Sequence, residues 1–307
     1  MTIARFDRPA TPDASGIRGF RRGFQFLRQP SWRGLLLVTP ALLTMAVFVI
    51  VPAVVSVGGT FFAADGALSL ANYRDFFGNP QSVGNLTFTV EVTLTTLIWL
   101  LVVGLAIALY LRFSRSRLVA AIQVLALFPL FVPGIIASFA LIRFLGPTGW
   151  LPTALKAVGI DAYQTPYLHA GGAIIGLIWQ ELPMTVLLLT AGLAQVNNRA
   201  IEAARDVGAG FATTLIHIVL PQVFRSIVVA ACLGALDIFG SFTVPYILGP
   251  AAPQMMAIYM QRTFNELHRP GAAETQAAVT FMVCIVIGAL YTAFVFRDSA
   301  NNTEPAK

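Results

Sequence analysis

The sequence predicts an all-α polytopic membrane protein with six transmembrane helices, and three observations lead there. Of its 307 residues 57% are hydrophobic and only 11% charged, against roughly 45–50% and about 25% in a soluble domain. So much apolar surface cannot hide in one core, and the bilayer has to serve as part of the solvent. The apolar residues also fall into six stretches long enough to cross a membrane. Finally, the basic residues are segregated between alternate connections: with six crossings, fifteen of the twenty Lys and Arg fall on the side of the termini and five on the other. By the positive-inside rule both termini are cytoplasmic. The excess of base over acid thus reflects topology and gives no ground for nucleic-acid binding.

In chain order, residues 1–33 hold seven arginines among Pro, Gly and Ser, a basic cytoplasmic tail with too few aliphatic residues to fold alone. Residues 34–62 form the first transmembrane helix; its apolar run is too long for a signal-peptide core, and Pro40 and Pro52 bend it. A periplasmic connection, 63–86, closes on the turn signal Asn79-Pro80. The second span, Thr87 to Tyr110, is interrupted only by Glu91, and Arg112, Arg115 and Arg117 mark a short hinge into the third, Leu118 to Ile142, with Pro129 and Pro133 inside it. After a Gly- and Pro-rich connection whose Trp150–Val158 piece suits an interfacial position, the fourth span, Gly171 to Leu193, carries Gln180, Glu181 and Pro183 near its middle. The fifth and sixth spans run from Ser226 to Leu248 and from Glu274 to Phe296, and a tail, 297–307, ends the chain. Residues 87–296 form the main membrane module.

No constellation for catalysis appears. The two lysines, Lys156 and Lys307, follow no glycine-rich phosphate loop, so the chain has no ATP site of its own. His169, His217 and His268 are scattered and lack metal-ligand spacing, no GxSxG or HExxH pattern occurs, and Cys232 and Cys284 sit in apolar runs without metal or redox spacing. An enzymatic role is therefore not expected; no catalytic residue, metal or cofactor is assigned. What does stand out is acid within apolar spans: Glu91, Glu181 and Asp237, with Gln180 beside the second. Each ionised acid costs about 2.5–3.5 kcal/mol at a bilayer centre, so it either lines a water-filled pathway or pairs between helices. Acids without a deep base favour a cationic or neutral solute over an anion.

The segment 194–225 interrupts this apolar plan on the cytoplasmic side. Apolar residues at Ile201, Ala204 and Val207, then Leu215, Ile218 and Val219, recur at helical spacing around Gly208-Ala209-Gly210, predicting a helix, a glycine turn and a second helix ended by Leu220-Pro221. Glu202 and Asp206 share one face of the first helix. An amphipathic loop of this length suits insertion into a partner's groove.

Glu202-Ala203-Ala204, then Gly208, then Ile218 with Leu220-Pro221, resembles the EAA signature of permease subunits of binding-protein-dependent ABC importers. The resemblance extends over about residues 70–296 and implies a type I importer permease fold. It further implies that Glu202, Ala203, Ala204, Asp206, Gly208, Ile218, Leu220 and Pro221 couple to an ABC ATP-binding subunit, present in two copies and binding the ATP. A second permease subunit and an extracytoplasmic solute-binding protein complete the implied assembly, in a bacterial inner membrane. The segments LSLANYRDFF, GPTGWLPTAL and DIFGSFTVPYILG look more like the spermidine/putrescine group and its iron and phosphonate relatives than like the sugar group. A polyamine is accordingly the expected solute, with sugar, iron and phosphonate as alternatives within the class. An ion-gradient-driven secondary transporter, using the acids as proton carriers, is the alternative outside it.

Overall fold

The computed structural model describes residues 32–62 and 66–301, with side chains from 37 to 294 in that range. The expected tail 1–33 lies outside it, apart from the backbone of its last two residues, as does the chain from 302. The regular elements among the described residues are all helices, with one isolated antiparallel bridge between Phe62 and Leu68. Among the described residues, six stretches are long and apolar enough to cross a membrane: 37–59, 80–113, 134–157, 170–194, 211–239 and 270–294.

The chain divides into two compact units between Ser56 and Val57. The first contains α1 (Trp32–Met45), a π-helical turn (Ala46–Ile50) and the start of α2 (Val51–Gly59). The wide turn ends two residues before Pro52, and the Val51 N–H reaches back five residues to the Ala46 carbonyl. A proline ring collides with the carbonyl four residues earlier and offers no N–H, and a π turn relieves both faults without breaking the helix.

The second unit holds α3 (Ala71–Gly78) inside the connection 63–86, and α4 (Pro80–Phe113) follows at once, its Asn79 side chain capping the Gln81 N–H at 2.9 Å. Helix α4 therefore begins seven residues before the expected span. The third apolar stretch is not one helix. It breaks into α5 (Leu118–Leu127), a 3-10 turn (Phe128–Phe131) and α6 (Gly134–Leu145), because Pro133 cannot continue a helix and Val132 is held extended before it. Helix α7 (Trp150–Ala157) is the short apolar piece, and α8 (Ala170–Ala194) is the fourth span.

Two further expectations are corrected. The helix after the glycine turn does not end at Leu220-Pro221: α9 (Asn198–Asp206) is followed by α10 (Phe211–Thr214), a second π turn (Leu215–Val219) and α11 (Leu220–Phe239) as one continuous rod. Pro221 is accommodated as Pro52 is, with the Leu220 N–H reaching the Leu215 carbonyl. The fifth span in turn stops at Phe239, nine residues early, where Gly240 turns the chain into the short α12 (Thr243–Leu248). Helices α13 (Met256–Asn265) and α14 (Pro270–Asn301) complete the unit, the last running five residues past the expected span into the segment read as a tail.

Helix α8 is the central post, packed by α4, α11 and α12. On α4 one stripe, Val92, Thr96, Leu100, Gly104 and Ala108, repeats every four residues and is buried, while Leu94, Ile98, Trp99 and Val102 face outward. Both faces are apolar because lipid is as apolar as leucine, so small residues rather than hydrophobic ones mark the inner side. Where α8 crosses α11, a Cβ at Gly192 would collide with the Ser226 side chain, so glycine lets the two helices approach there.

Candidate functional site

Two places collect the residues singled out in the sequence, one at the end of the bundle where α8, α4 and α11 converge on α9, the other where the broken helices meet. At the first, Asn197 ends the descent from α8 and starts α9, its side chain accepting the Arg199 N–H at 3.0 Å. Nine residues give α9 a length of about 13 Å. Its inner face holds Ile201 and Ala204, and Ile201 joins an apolar cluster with Ala108, Leu189, Leu193, Val196, Val219 and Val223. Its outer face presents Glu202, Ala203, Arg205 and Asp206.

The turn after α9 depends on Gly208, whose φ of +83° is the left-handed conformation that L side chains avoid. The N–H groups of Gly208 and Ala209 return to the carbonyls of Arg205 and Ala204, both at 2.9 Å, closing the helix as a glycine C-cap does. Val207, expected on the inner face by its spacing, is 85% exposed. The helix ends at Asp206, so the 3.6-residue period no longer governs Val207, which stands at the outer tip. Ile218 and Leu220 are half-buried and Pro221 is exposed on the rod that leads into α11.

Arg112 is a part of this site that the sequence suggested only as a topological charge. From the end of α4 its Nε donates to the Leu193 carbonyl of α8 at 3.2 Å, and its Nη2 donates to the Asn198 side chain at the start of α9. A second tie joins α11, where the Gln222 side chain accepts the Asn197 N–H at 3.2 Å. Phe113 meets Phe211 edge-on at 6.0 Å. Helix α9 is thus fastened to three long helices, two by side chains and one by the chain itself. An arginine at a helix end facing a cut-off carbonyl is the only sequence sign of this role.

The second place is a cavity of 420 Å³ lined by Gly134, Gln180, Glu181, Asp237, Ser241, Phe242 and Thr243. It lies where α6 starts, where α11 stops and where α12 begins, which gives the two helix breaks a common setting. Non-helical backbone at membrane depth persists where it lines a cavity instead of lipid. Gln180 donates through Nε2 to Glu181 Oε1 at 3.0 Å, and Phe242 stacks on Tyr246 with ring centres 5.3 Å apart. Three of the four polar residues read as a pathway, Gln180, Glu181 and Asp237, meet here. Glu91 is not among the lining residues and is exposed on α4. Among the described residues no three His, Cys, Asp or Glu side chains come together to hold a metal ion.

Residues 100–299 match the family described as binding-protein-dependent transport system inner membrane component. The chain is 27% identical to the molybdenum transport system permease protein ModB of Azotobacter vinelandii, over 69% of this chain and 94% of that one. It is 25% identical to the spermidine/putrescine transport system permease protein PotB of Haemophilus influenzae, over 80% and 88%. Its fold is that of a chain in a bacterial alginate ABC transporter in complex with alginate pentasaccharide-bound periplasmic protein, with a TM-score of 0.73 at 17% identity over 90% of this chain and 96% of that one. An amino acid ABC transporter chain is more distant, with a TM-score of 0.52 at 16% identity over 75% and 99%. The chain therefore belongs to the family of binding-protein-dependent transport system inner membrane components and is a multi-pass permease subunit of an ABC importer, not an enzyme.

Proposed function

We propose that this permease is one half of a two-permease core whose α9 segment seats on an ABC ATP-binding subunit and whose polar cavity passes a small cation, best matched by a polyamine such as spermidine or putrescine. Both termini and α9 face the cytoplasm, in keeping with the distribution of Lys and Arg. Solute arrives from an extracytoplasmic binding protein. ATP closes the pair of ATP-binding subunits, draws the α9 segments together and rocks the spans from inward- to outward-facing; hydrolysis resets them.

The observation that carries the coupling role is the division of α9 into two faces. Ile201 and Ala204 hold it to its own bundle, while Glu202, Ala203, Asp206 and the exposed tip Val207 are left for a partner. Gly208 sets the turn, and Ile218, Leu220 and Pro221 carry displacement into α11. In the test, the tagged permease is expressed with the ATP-binding subunit of its importer. The expected outcome is co-purification that Gly208→Asp weakens together with transport. A permease that transports in liposomes without any ATPase would instead establish the gradient-driven alternative.

The cation is supported by the two carboxylates, Glu181 and Asp237, in one cavity with a side-chain amide and hydroxyls and no Lys or Arg in its lining. Carboxylates repel oxyanions, which weighs against molybdate despite the molybdenum-transport relative. Asp237→Asn and Glu181→Gln should each reduce uptake of labelled spermidine or putrescine. Uptake kinetics unchanged in both variants would remove the acids from the pathway and return sugar, iron and phosphonate to equal standing. Melting of the importer's binding protein against those solute classes identifies the cargo independently.

A further inference from the structure

The connection after α6 leaves the bundle at Leu145 and is tied back to the same residue: the Tyr163 and Thr165 hydroxyls both donate to the Leu145 carbonyl, at 2.8 and 2.7 Å. The lobe between them holds α7. It opens on a tight elbow, where a Cβ on Gly149 would lie within 3.0 Å of the carbonyls of Arg143, Phe144 and Gly146. The elbow lays Trp150 on Phe144, the two rings stacked at 5.4 Å. Before it, residues 118–145 form two helices and the turn between them, more than the roughly 20 residues that cross a hydrocarbon core. The elbow therefore lies at a membrane face, whichever way the chain is inserted.

Two exposed rows meet there. On α6 Ile136, Phe139 and Arg143 share one side, so a row of apolar side chains facing lipid ends in a guanidinium. On α7 Trp150, Thr153, Lys156 and Ala157 are exposed, while Leu151, Pro152, Ala154 and Leu155 are half-buried or buried, as in a helix lying along an interface. Among the described residues neither the Arg143 nor the Lys156 side chain has a hydrogen bond or ion pair, and Asp161, the acid of the lobe, forms no salt bridge with either. Tryptophan gathers at the level of lipid headgroups, and Arg and Lys near span ends reach out to the same level. Two unmatched cations beside such a ring fit a phosphodiester: the Arg143 fork can take two of its oxygens, and Lys156 adds a point charge. One phosphodiester neutralises one of the two cations, so a headgroup without a cation of its own fits better than choline.

We propose that the elbow between α6 and α7 holds the headgroup of an anionic phospholipid such as phosphatidylglycerol, with Arg143 and Lys156 on its phosphate and Trp150 beside it. Bound there, the lipid steadies α6, whose first residue, Gly134, lines the acidic cavity.

The test puts a nitroxide on α7 at Ala157→Cys, with Cys232→Ser, Cys284→Ser and cysteine-free partner subunits, in the assembled importer held in phosphatidylcholine discs. Relaxation by oxygen against an aqueous nickel chelate reads the depth of the label, and its line shape is followed as phosphatidylglycerol replaces phosphatidylcholine. The label should lie at headgroup depth and lose mobility as phosphatidylglycerol is added. Arg143→Gln and Lys156→Gln alter only exposed side chains, and each should lower the apparent affinity of that response about fivefold, the worth of one basic residue at an anionic surface. A label more open to nickel than to oxygen would put α7 in water and overturn the site, a result that needs neither variant. So would an affinity that both variants keep within about twofold of the unsubstituted importer, since each cation should contribute more than that. Equal loss of mobility on adding inorganic phosphate to pure phosphatidylcholine discs would overturn it as well, because the cations would then hold a soluble anion.

Discussion

One guanidinium, that of Arg112, joins the ends of α4 and α8 to the start of α9. In sequence it is one of three arginines between the second and third spans, and charge alone cannot separate the two that mark topology from the one that also holds a helix end. Arg112→Gln should leave assembly intact and lower solute transported per ATP by about fivefold, the effect of a coupling change of about 1 kcal/mol; Arg112→Lys, which keeps charge but not the fork, should fall between. Equal transport per ATP in all three would make the contact ornamental. At Gly208 the left-handed backbone makes a Cβ cost about 1–2 kcal/mol, so Gly208→Ala should speed amide exchange across α9 by fivefold or more. The left-handed turn was legible from glycine, and the two faces of α9 largely so. Val207 was not, because its spacing continues the helical period while the helix itself has already ended.

At the scale of elements, the prolines divide by what precedes them. Pro52 and Pro221 each follow a π turn that lets the helix continue, whereas Pro133 follows an extended residue and breaks it. Hydropathy registers none of this, since a broken span is as apolar as a whole one; the third and fifth spans therefore looked continuous. Their breaks acquire a reason only when α6, α11 and α12 are brought together around one cavity, a long-range fact that no local pattern contains. Pro221→Ala should supply the missing N–H and remove the ring, allowing the turn at Leu215–Val219 to tighten. Slower amide exchange around residues 218–223 would register the change, and exchange no slower than in the wild type would assign the wide turn to another cause.

For the whole molecule, the membrane class and the number of crossings were plain from composition and run length, because nothing but a bilayer can accommodate so apolar a chain. Which neighbours pack was not, because both faces of α4 carry apolar side chains and the inner one is set apart only by small and hydroxyl residues such as Thr93, Thr96, Gly104 and Ala108. Sidedness can be checked directly: with Cys232 and Cys284 changed to serine, a membrane-impermeant maleimide should label Asp161→Cys in intact spheroplasts and Ser116→Cys only after permeabilisation. The reverse pattern would turn the topology over. At the crossing of α8 and α11, Gly192→Val should cost about 1–3 kcal/mol through overpacking, read as a lower melting temperature of the purified protein. That same crossing sets a gear ratio. Counted along the rod, Ser226 stands about 22 Å from Phe211 and about 16 Å from Asp237. In the coupling proposed above, rigid rocking about the Gly192 crossing turns each ångström of travel at the α9 end into about 0.7 Å at the acidic cavity, so the longer arm lies on the ATPase side and trades stroke for force at the passage.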